Sequence, residues 1–489
     1  MLVVVMDCVR ADDFPGGRNP VEGLRFVESL RGESVVFPRA VSPAPWTIPS
    51  HASLFTGLYP WEHGVNMGGA VRLSESVPTL PTLLRERGYG TIALSANGFI
   101  GPEMGLTQTF DAAAWGDWWE RYVRLPNRSI PPRATNLGPT QRLPNGPQWH
   151  QLESKAWYFH RLPILIDAAN RLMQQVRFPH DAQRLAVSPW IEATLGRWLA
   201  VQPPDRPVFA FVNLLEAHEP YLTDPDLVHG FANWFRTANV RMDKTSVLAG
   251  AWTPSARERE RLHRLYRDMV RFIDRRIAGL VAALRDARRW ENTLLVLTSD
   301  HGQAFGEHGC LFHGQRLWEP LVRVPMWMRA PHGEGGGATG QGWSSLIDVA
   351  PTVAARAGLS ASAFRDAVAL DELVDRPRPT PVFTMADGIH QKMHVKKFAA
   401  AAQMEQWERF YVGAYEGDTK LVLDLADQSV RAYDVARDPG EEHDIWSTTA
   451  DRFGGIVEQM RRIGEQLKGG ATGATSPEVE DRLRSWGYL

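Results

Sequence analysis

Four short apolar runs in this chain stop in polar residues in the same way. "LVVVMD" ends at Asp7, "GTIALSANG" (Gly90–Gly98) carries Asn97, "PVFAFVNLLEAH" (Pro207–His218) carries Glu216 and His218, and "NTLLVLTSDHG" (Asn292–Gly302) carries Asp300 and His301. An unbroken apolar run of this length marks a strand buried on both faces, as in a parallel sheet covered by helices. Helical stretches lie between the runs. "VPTLPTLLRERG" closes at Gly88, and "SARERERLHRLYRDMVRFIDRRIAGLVAALRDARR" is long, amphipathic and charged along one face. The alternation predicts an α/β fold with a central, mostly parallel sheet and helices on both faces. Ligands of such a sheet sit beyond the carboxyl ends of its strands, where these polar groups fall.

At 489 residues the chain is long enough for more than one unit. The pattern predicts a catalytic domain over 1–385 and a smaller α+β subdomain over 386–489. In the latter, "FYVGAYEGDTKLVLDLADQSVRAYDVARDPGEEHDIW" reads as antiparallel hairpins followed by a helix. Between 112 and 187 the alternation degrades into a stretch rich in Trp and Pro. It reads either as a lid over the site or as a packed peripheral insertion. Net charge is −2, from 54 basic and 56 acidic residues, with no basic stripe, so no nucleic-acid partner is expected. Two cysteines, Cys8 and Cys310, make no disulfide framework. The chain opens directly on a strand, with neither a basic leader nor a run long enough for a membrane segment, which predicts a cytoplasmic protein.

Asp7, Asp300 and His301 supply two carboxylates and an imidazole, a donor set for one divalent cation. The carboxylates favour a hard ion such as Ca²⁺ or Mg²⁺, and the imidazole moves the preference toward Mn²⁺ or Zn²⁺. "SDHGQAFGEHGCLFHGQRLWE" places His301, His308 and His313 close together among glycines. "NLLEAHEPY" adds His218, suited to protonating a leaving group, and Glu216, which reads equally as a solvated loop acid. A second ion, if bound, would draw on Glu216 and His308. "SPAPWTIPSHASLFTGLYPWEHG" (Ser42–Gly64) crowds Thr47, Ser50, Ser53 and His51 into the start of a helix. Those hydroxyls are either caps or, at a positive helix end beside a cation, a nucleophile. No G-x-S-x-G elbow and no Walker loop is present.

These segments together resemble the sulfatase family of the alkaline phosphatase superfamily. "TIPSHASLFTGLYPWEHGV" is similar to the family's first signature, and "SDHGQAFGEHG" followed by "LWEPLVRVPMWM" to its second. "SLIDVAPTVAARAG" and "YDVARDPGEEHDI" extend the resemblance over nearly the whole chain. It implies an alkaline-phosphatase-like fold, a divalent metal held by Asp7, Thr47, Asp300 and His301, and His218 and His313 facing a small anionic ester. The chain departs from the family pattern at several positions. Thr47 stands where members carry the Cys or Ser that becomes formylglycine, and Thr cannot be so converted. His51 replaces an Arg, Cys8 replaces a metal-binding Asp, and Asn97 is the polar group left where a Lys-x-His is usual. Thr47, His218 and His313 are thus the candidate catalytic residues, with His51 and Asn97 facing substrate. The resulting expectation is a hydrolase of phosphate (di)ester, phosphonate or sulfate ester bonds acting through a covalent Thr intermediate. A phosphoryl transferase and a non-catalytic binding protein are the alternatives.

Overall fold

The computed structural model describes residues 1–66, 71–115, 187–221, 247, 252–314, 316–360, 364–387 and 409–469. A seven-stranded sheet runs through the centre in the order Val35–Val36, Met326–Arg329, Leu295–Thr298, Leu2–Met6, Val208–Leu214, Gly90–Ser95, Ala112–Trp115. The last five are mutually parallel, and Met326–Arg329 runs antiparallel to both its neighbours. The apolar runs of the sequence are thus the parallel strands, as expected.

Alternation along these strands sorts the core into two layers. Val3, Val5, Phe209 and Phe211 face one side and pack with Ile48, Ala52, Leu54 and Phe55 of the helix Thr47–Thr56. Leu2, Val4, Met6, Ala210 and Val212 face the other, against the helices Val187–Ala200 and Ala256–Asp286. Each such side chain stabilises the fold by roughly 1.5–3 kcal/mol when fully buried, so a one-residue slip that exchanged the two sets would be heavily penalised. The register thereby fixes which residue emerges at each strand end.

The helix Ala256–Asp286 starts at a capping box: Glu258 N–H donates to Ser255 Oγ (3.3 Å) and Ser255 N–H to Glu258 Oε2 (2.7 Å). From its inner face Asp274 accepts the N–H groups of Phe26 and Val27, at 3.1 and 2.8 Å. That carboxylate satisfies the start of the helix Arg25–Leu30, which has no side-chain cap of its own.

The strands Val382–Asp387, Phe410–Glu416, Thr419–Asp424 and Val430–Asp434 form an antiparallel meander. The helix Trp446–Gly469 covers it with Phe453, Val457, Met460, Ile463 and Leu467. The first of these strands spans position 385 and is tied to the segments around the helix Thr47–Thr56. Phe383 N–H donates to Tyr59 Oη (3.2 Å), and Met385 N–H to the Pro43 carbonyl (2.9 Å). A buried ion cluster adds to the junction. Lys420 Nζ lies 3.2 Å from Glu319 Oε1 and 2.7 Å from Glu441 Oε1, and Tyr415 Oη donates to Glu319 Oε1 at 2.6 Å.

The expected insertion at 112–187 lies outside the described residues, apart from the strand Ala112–Trp115 and Val187 at the start of the next helix. Among the described residues no helix is long and apolar enough to cross a membrane.

Candidate active site

Adjacent strands lie about 4.8 Å apart, so polar side chains emerging at neighbouring carboxyl ends meet laterally. Asp7, beyond the central strand, is fully buried. Its Oδ2 accepts a hydrogen bond from Asn97 Nδ2 (2.9 Å), with Asn213 Nδ2 at 3.5 Å. Asn97 is oriented in turn, its Oδ1 accepting Phe99 N–H at 2.9 Å. The sequence suggests Asn97 as a substrate contact; its amide instead holds Asp7. Burial works against ionisation of Asp7, but His218, His301 and the Asn97 amide together outweigh it and keep the carboxyl below the usual range.

Asp300 and His301 follow the strand Leu295–Thr298, both buried. Asp300 Oδ1 accepts the N–H groups of Cys8 (3.2 Å) and His301 (2.9 Å). His301 Nδ1 donates to the Gly302 carbonyl at 2.9 Å, so in the neutral ring the lone pair sits on Nε2. Burial pushes this imidazole down to about 4, which keeps it neutral. Burial, and then the charge of Asp7, push Asp300 well above the carboxylate range. Asp300 Oδ2 and His301 Nε2 are 3.3 Å apart, and neither has a hydrogen-bond partner among the described residues. Each unpartnered buried polar atom costs about 1–3 kcal/mol. Two facing lone-pair atoms, with Asp7 nearby, fit a divalent cation as their missing partner.

The helix Thr47–Thr56 is buried along its whole length, and its N-cap residue, Trp46, makes no side-chain cap among the described residues. Its approach is anchored to the metal-ligand candidates, because Ser42 Oγ donates to the Asp300 carbonyl. His51 Nδ1 donates to the Thr47 carbonyl (2.8 Å) and stands 3.8 Å from Asp300 Oδ2. Burial lowers His51 to about 4, and its Nε2 is buried without a hydrogen-bond partner among the described residues. Ser50 and Ser53 are turned to structural work. Ser50 Oγ bonds back to the Trp46 carbonyl (2.8 Å), and Ser53 Oγ accepts from His63 Nε2 (3.0 Å). Thr47 remains as the hydroxyl at the first helical position, buried but not closed off.

A second group stands beside Asp7. His313 Nδ1 lies 3.5 Å from Glu219 Oε2 and 2.8 Å from Gln303 Oε1, and its ring centroid is 4.8 Å from that of His218 and 4.5 Å from that of His301. Gln303 Nε2 donates to Glu219 Oε2 (2.9 Å) and to Tyr221. His218 has a side chain 25% exposed and is the open edge of this group.

Two acidic or imidazole candidates for a second ion are elsewhere. Glu216 is turned toward the helix Val187–Ala200, where Ser188 Oγ donates to it. His308 is stacked on Trp318 at 3.7 Å and bonded to the Gly440 carbonyl at 2.8 Å. The turn after Leu214 therefore presents Glu219, not Glu216. Sequence reasoning passed over Glu219 and Gln303, although the adjacency of each to a site histidine, in "HE" and "DHGQ", is visible in the chain.

Buried carboxylates and imidazoles thus gather at the carboxyl end of a mostly parallel sheet, before a helix that starts on a hydroxyl, in an alkaline-phosphatase-like fold. A family model described as Sulfatase matches residues 1–359, and the chain belongs to that family. It is 23% identical over 437 residues to the uncharacterized sulfatase YidJ of Escherichia coli (strain K12), covering 86% of this chain and 77% of that protein. It is 24% identical over 469 residues to the choline-sulfatase of Rhizobium meliloti (strain 1021), covering 92% and 85% respectively. Among solved structures, the phosphonate monoester hydrolase of Agrobacterium radiobacter shares the fold with a TM-score of 0.63 at 18% identity, over 95% of each chain.

Proposed function

We propose that this sulfatase-family chain is a metal-dependent hydrolase of small anionic esters in which Thr47 is the nucleophile. The observation that carries this reading is a Thr at the first position of a buried helix whose N-cap residue makes no side-chain cap among the described residues, one turn before His51, which stands 3.8 Å from the buried Asp300. First-turn amides without caps stabilise an alkoxide or a bound oxyanion. Asp7, Asp300 and His301 would hold the divalent ion, with Thr47 as a further ligand in the bound state. When bound, the ion lowers the pKa of a coordinated hydroxyl and neutralises the non-bridging oxygens of the ester.

Thr47 Oγ, its proton released to solvent, forms a bond to phosphorus or sulfur while the bond to the leaving oxygen breaks. His218 or His313 protonates that oxygen. Water then attacks the Thr ester, freeing Thr47 and the anion. Named relatives act on sulfate and phosphonate esters, and a Thr that cannot become formylglycine favours phosphonate or phosphate esters for this chain.

Metal-stripped protein should be assayed on nitrophenyl phosphate, bis-nitrophenyl phosphate, a phenylphosphonate ester and nitrophenyl sulfate, with Mn²⁺, Zn²⁺, Ca²⁺ or Mg²⁺ restored. The expected result is phosphonate or phosphate ester turnover that requires a metal and is lost in Thr47→Ala. Full turnover by Thr47→Ala would refute the nucleophile, and turnover of sulfate alone would refute the substrate preference.

A further inference from the structure

The segment from Leu317 to Val322 lies between the candidate metal ligands and the C-terminal sheet, and it is gripped from both sides. On the side of the site, Gly302 N–H donates to the Leu321 carbonyl and Gln303 N–H to the Pro320 carbonyl, both at 2.8 Å. These two residues follow His301, and the Gly302 carbonyl accepts His301 Nδ1 at 2.9 Å. The approach is too close for a side chain: a Cβ on Gly302 would stand 2.1 Å from the Pro320 carbonyl oxygen. The Val322 carbonyl accepts Ser42 N–H at 2.8 Å, and Ser42 Oγ donates to the Asp300 carbonyl. Both ligand candidates beyond the strand Leu295–Thr298 are thus held to the backbone of one short segment.

On the other side the grip is ionic. Glu441 Oε2 accepts the Glu319 N–H at 2.7 Å, and Lys420 Nζ donates to the Leu317 carbonyl. Lys420 also joins the two carboxylates, and Arg323 Nη1 holds the other Glu319 oxygen, Oε2, at 3.0 Å. The charges of Lys420, Arg323, Glu319 and Glu441 balance, and all but Arg323 are buried. A buried ion cluster of this kind adds little stability over apolar side chains of similar volume. It supplies direction instead: the carboxylate and the ammonium each fix one backbone group at hydrogen-bond distance, which an apolar contact does not.

We propose that Lys420 and Glu441 are positioning residues for the metal site. By anchoring the Leu317 carbonyl and the Glu319 N–H they set where the segment 317–322 lies, and through it where Asp300 and His301 stand. Both residues lie beyond residue 359, where the family match ends. This inference rests on the reading of Asp300 and His301 as metal ligands and does not require Thr47 to be the nucleophile.

The test is Mn²⁺ titration calorimetry on the full, metal-stripped chain, read beside urea unfolding and amide hydrogen exchange over the peptide 300–305. Lys420→Met/Glu441→Leu removes one charge of each sign and leaves Glu319 paired with Arg323, so its urea midpoint should stay near that of wild type. Both backbone anchors are gone, so Mn²⁺ affinity should fall about 10-fold or more, and exchange over 300–305 should quicken. Lys420→Met/Glu441→Gln keeps an acceptor for the Glu319 N–H and should recover part of each loss. It is compared with wild type in place of the Leu variant if that variant does not fold, and should still show a weaker Mn²⁺ affinity. Met460→Ala, which opens a cavity beneath the helix Trp446–Gly469, should lower the urea midpoint and leave Mn²⁺ affinity unchanged. Wild-type Mn²⁺ affinity in the pair variant so tested, or an equal loss in Met460→Ala, would overturn the proposal. A wild type that takes up no Mn²⁺ would refute the metal reading instead. Exchange over 300–305 would then decide the anchoring by itself: quickened in the pair variants it stands, and unchanged it falls.

Discussion

Removing the amide of Asn97 distinguishes a residue that holds the metal site from one that holds substrate. Asn97 Nδ2 donates to Asp7 Oδ2 at 2.9 Å in a fully buried setting, and the only other amide on that oxygen among the described residues, Asn213, is at 3.5 Å. A hydrogen bond to a buried charged group contributes about 1.5–3 kcal/mol, and loss of a partner behind a metal ligand weakens the metal by about 10- to 100-fold. Asn97→Ala should therefore weaken Mn²⁺ binding by about 10- to 100-fold, nearer the lower figure if Asn213 closes on the vacated oxygen. Asn97→Asp should be worse, because it sets a second carboxylate against the first. Titration calorimetry on stripped protein measures the affinity, and steady-state kinetics at saturating Mn²⁺ measures KM. Weakened metal binding with KM restored by excess Mn²⁺ is the expected pattern. Unchanged metal affinity with a raised KM would refute the argument and return Asn97 to the substrate.

Two further perturbations concern the scaffold around the site. His63 Nδ1 accepts Val65 N–H at 3.1 Å and its Nε2 donates to Ser53, so the ring is neutral in the fold, and burial lowers it from 6.5 to about 3. The unfolded chain takes up a proton as pH falls through 6.5 and the folded chain does not, so His63 withdraws stability on acidification. Between about pH 7.5 and about pH 5 the loss is about 2 kcal/mol. Urea titrations of His63→Asn, which keeps an acceptor for Val65, should show the acid loss reduced by about that amount, and profiles parallel to wild type would refute the assignment. Lys420→Met leaves Glu441 buried without its cation, while Glu319 keeps Arg323 at 3.0 Å, and should cost about 3–5 kcal/mol in the same assay. A loss below about 1 kcal/mol would mean that the carboxylates find other partners.

Asp7, Asp300 and His301 were legible in the sequence because a doubly buried strand admits one register, and the residue leaving it must emerge at the carboxyl end. Legibility ended where the chain left the strands. Glu216 and Glu219 are three residues apart in a turn, and only the path of that turn decides that Ser188 receives one and His313 meets the other. His308 shares a glycine-rich loop with His313, yet its own left-handed backbone, φ 49°, carries it outward onto Trp318. Nothing in a linear pattern shows that Cys8, immediately after a strand, has the left-handed backbone, φ 64°, that sets its thiol 3.3 Å from Asp7 Oδ1. Asn97 was found as a residue but its hydrogen bond to Asp7 was not, since lateral pairing between strand ends depends on strand order, and that order is not written along the chain.

The ties between the strand Val382–Asp387 and the segments on either side of the helix Thr47–Thr56 bear on how this protein could change over time. The family match ends at residue 359, yet backbone groups of residues 383 and 385 hold Tyr59 and Pro43, which flank the helix that Thr47 begins. A recombination event that exchanged the C-terminal portion would disturb the reacting end of the molecule, however well the remaining sequence matched its relatives. A C-terminal portion exchanged for another would have to restore the Tyr59 and Pro43 contacts to keep both ends of the helix Thr47–Thr56 held as they are.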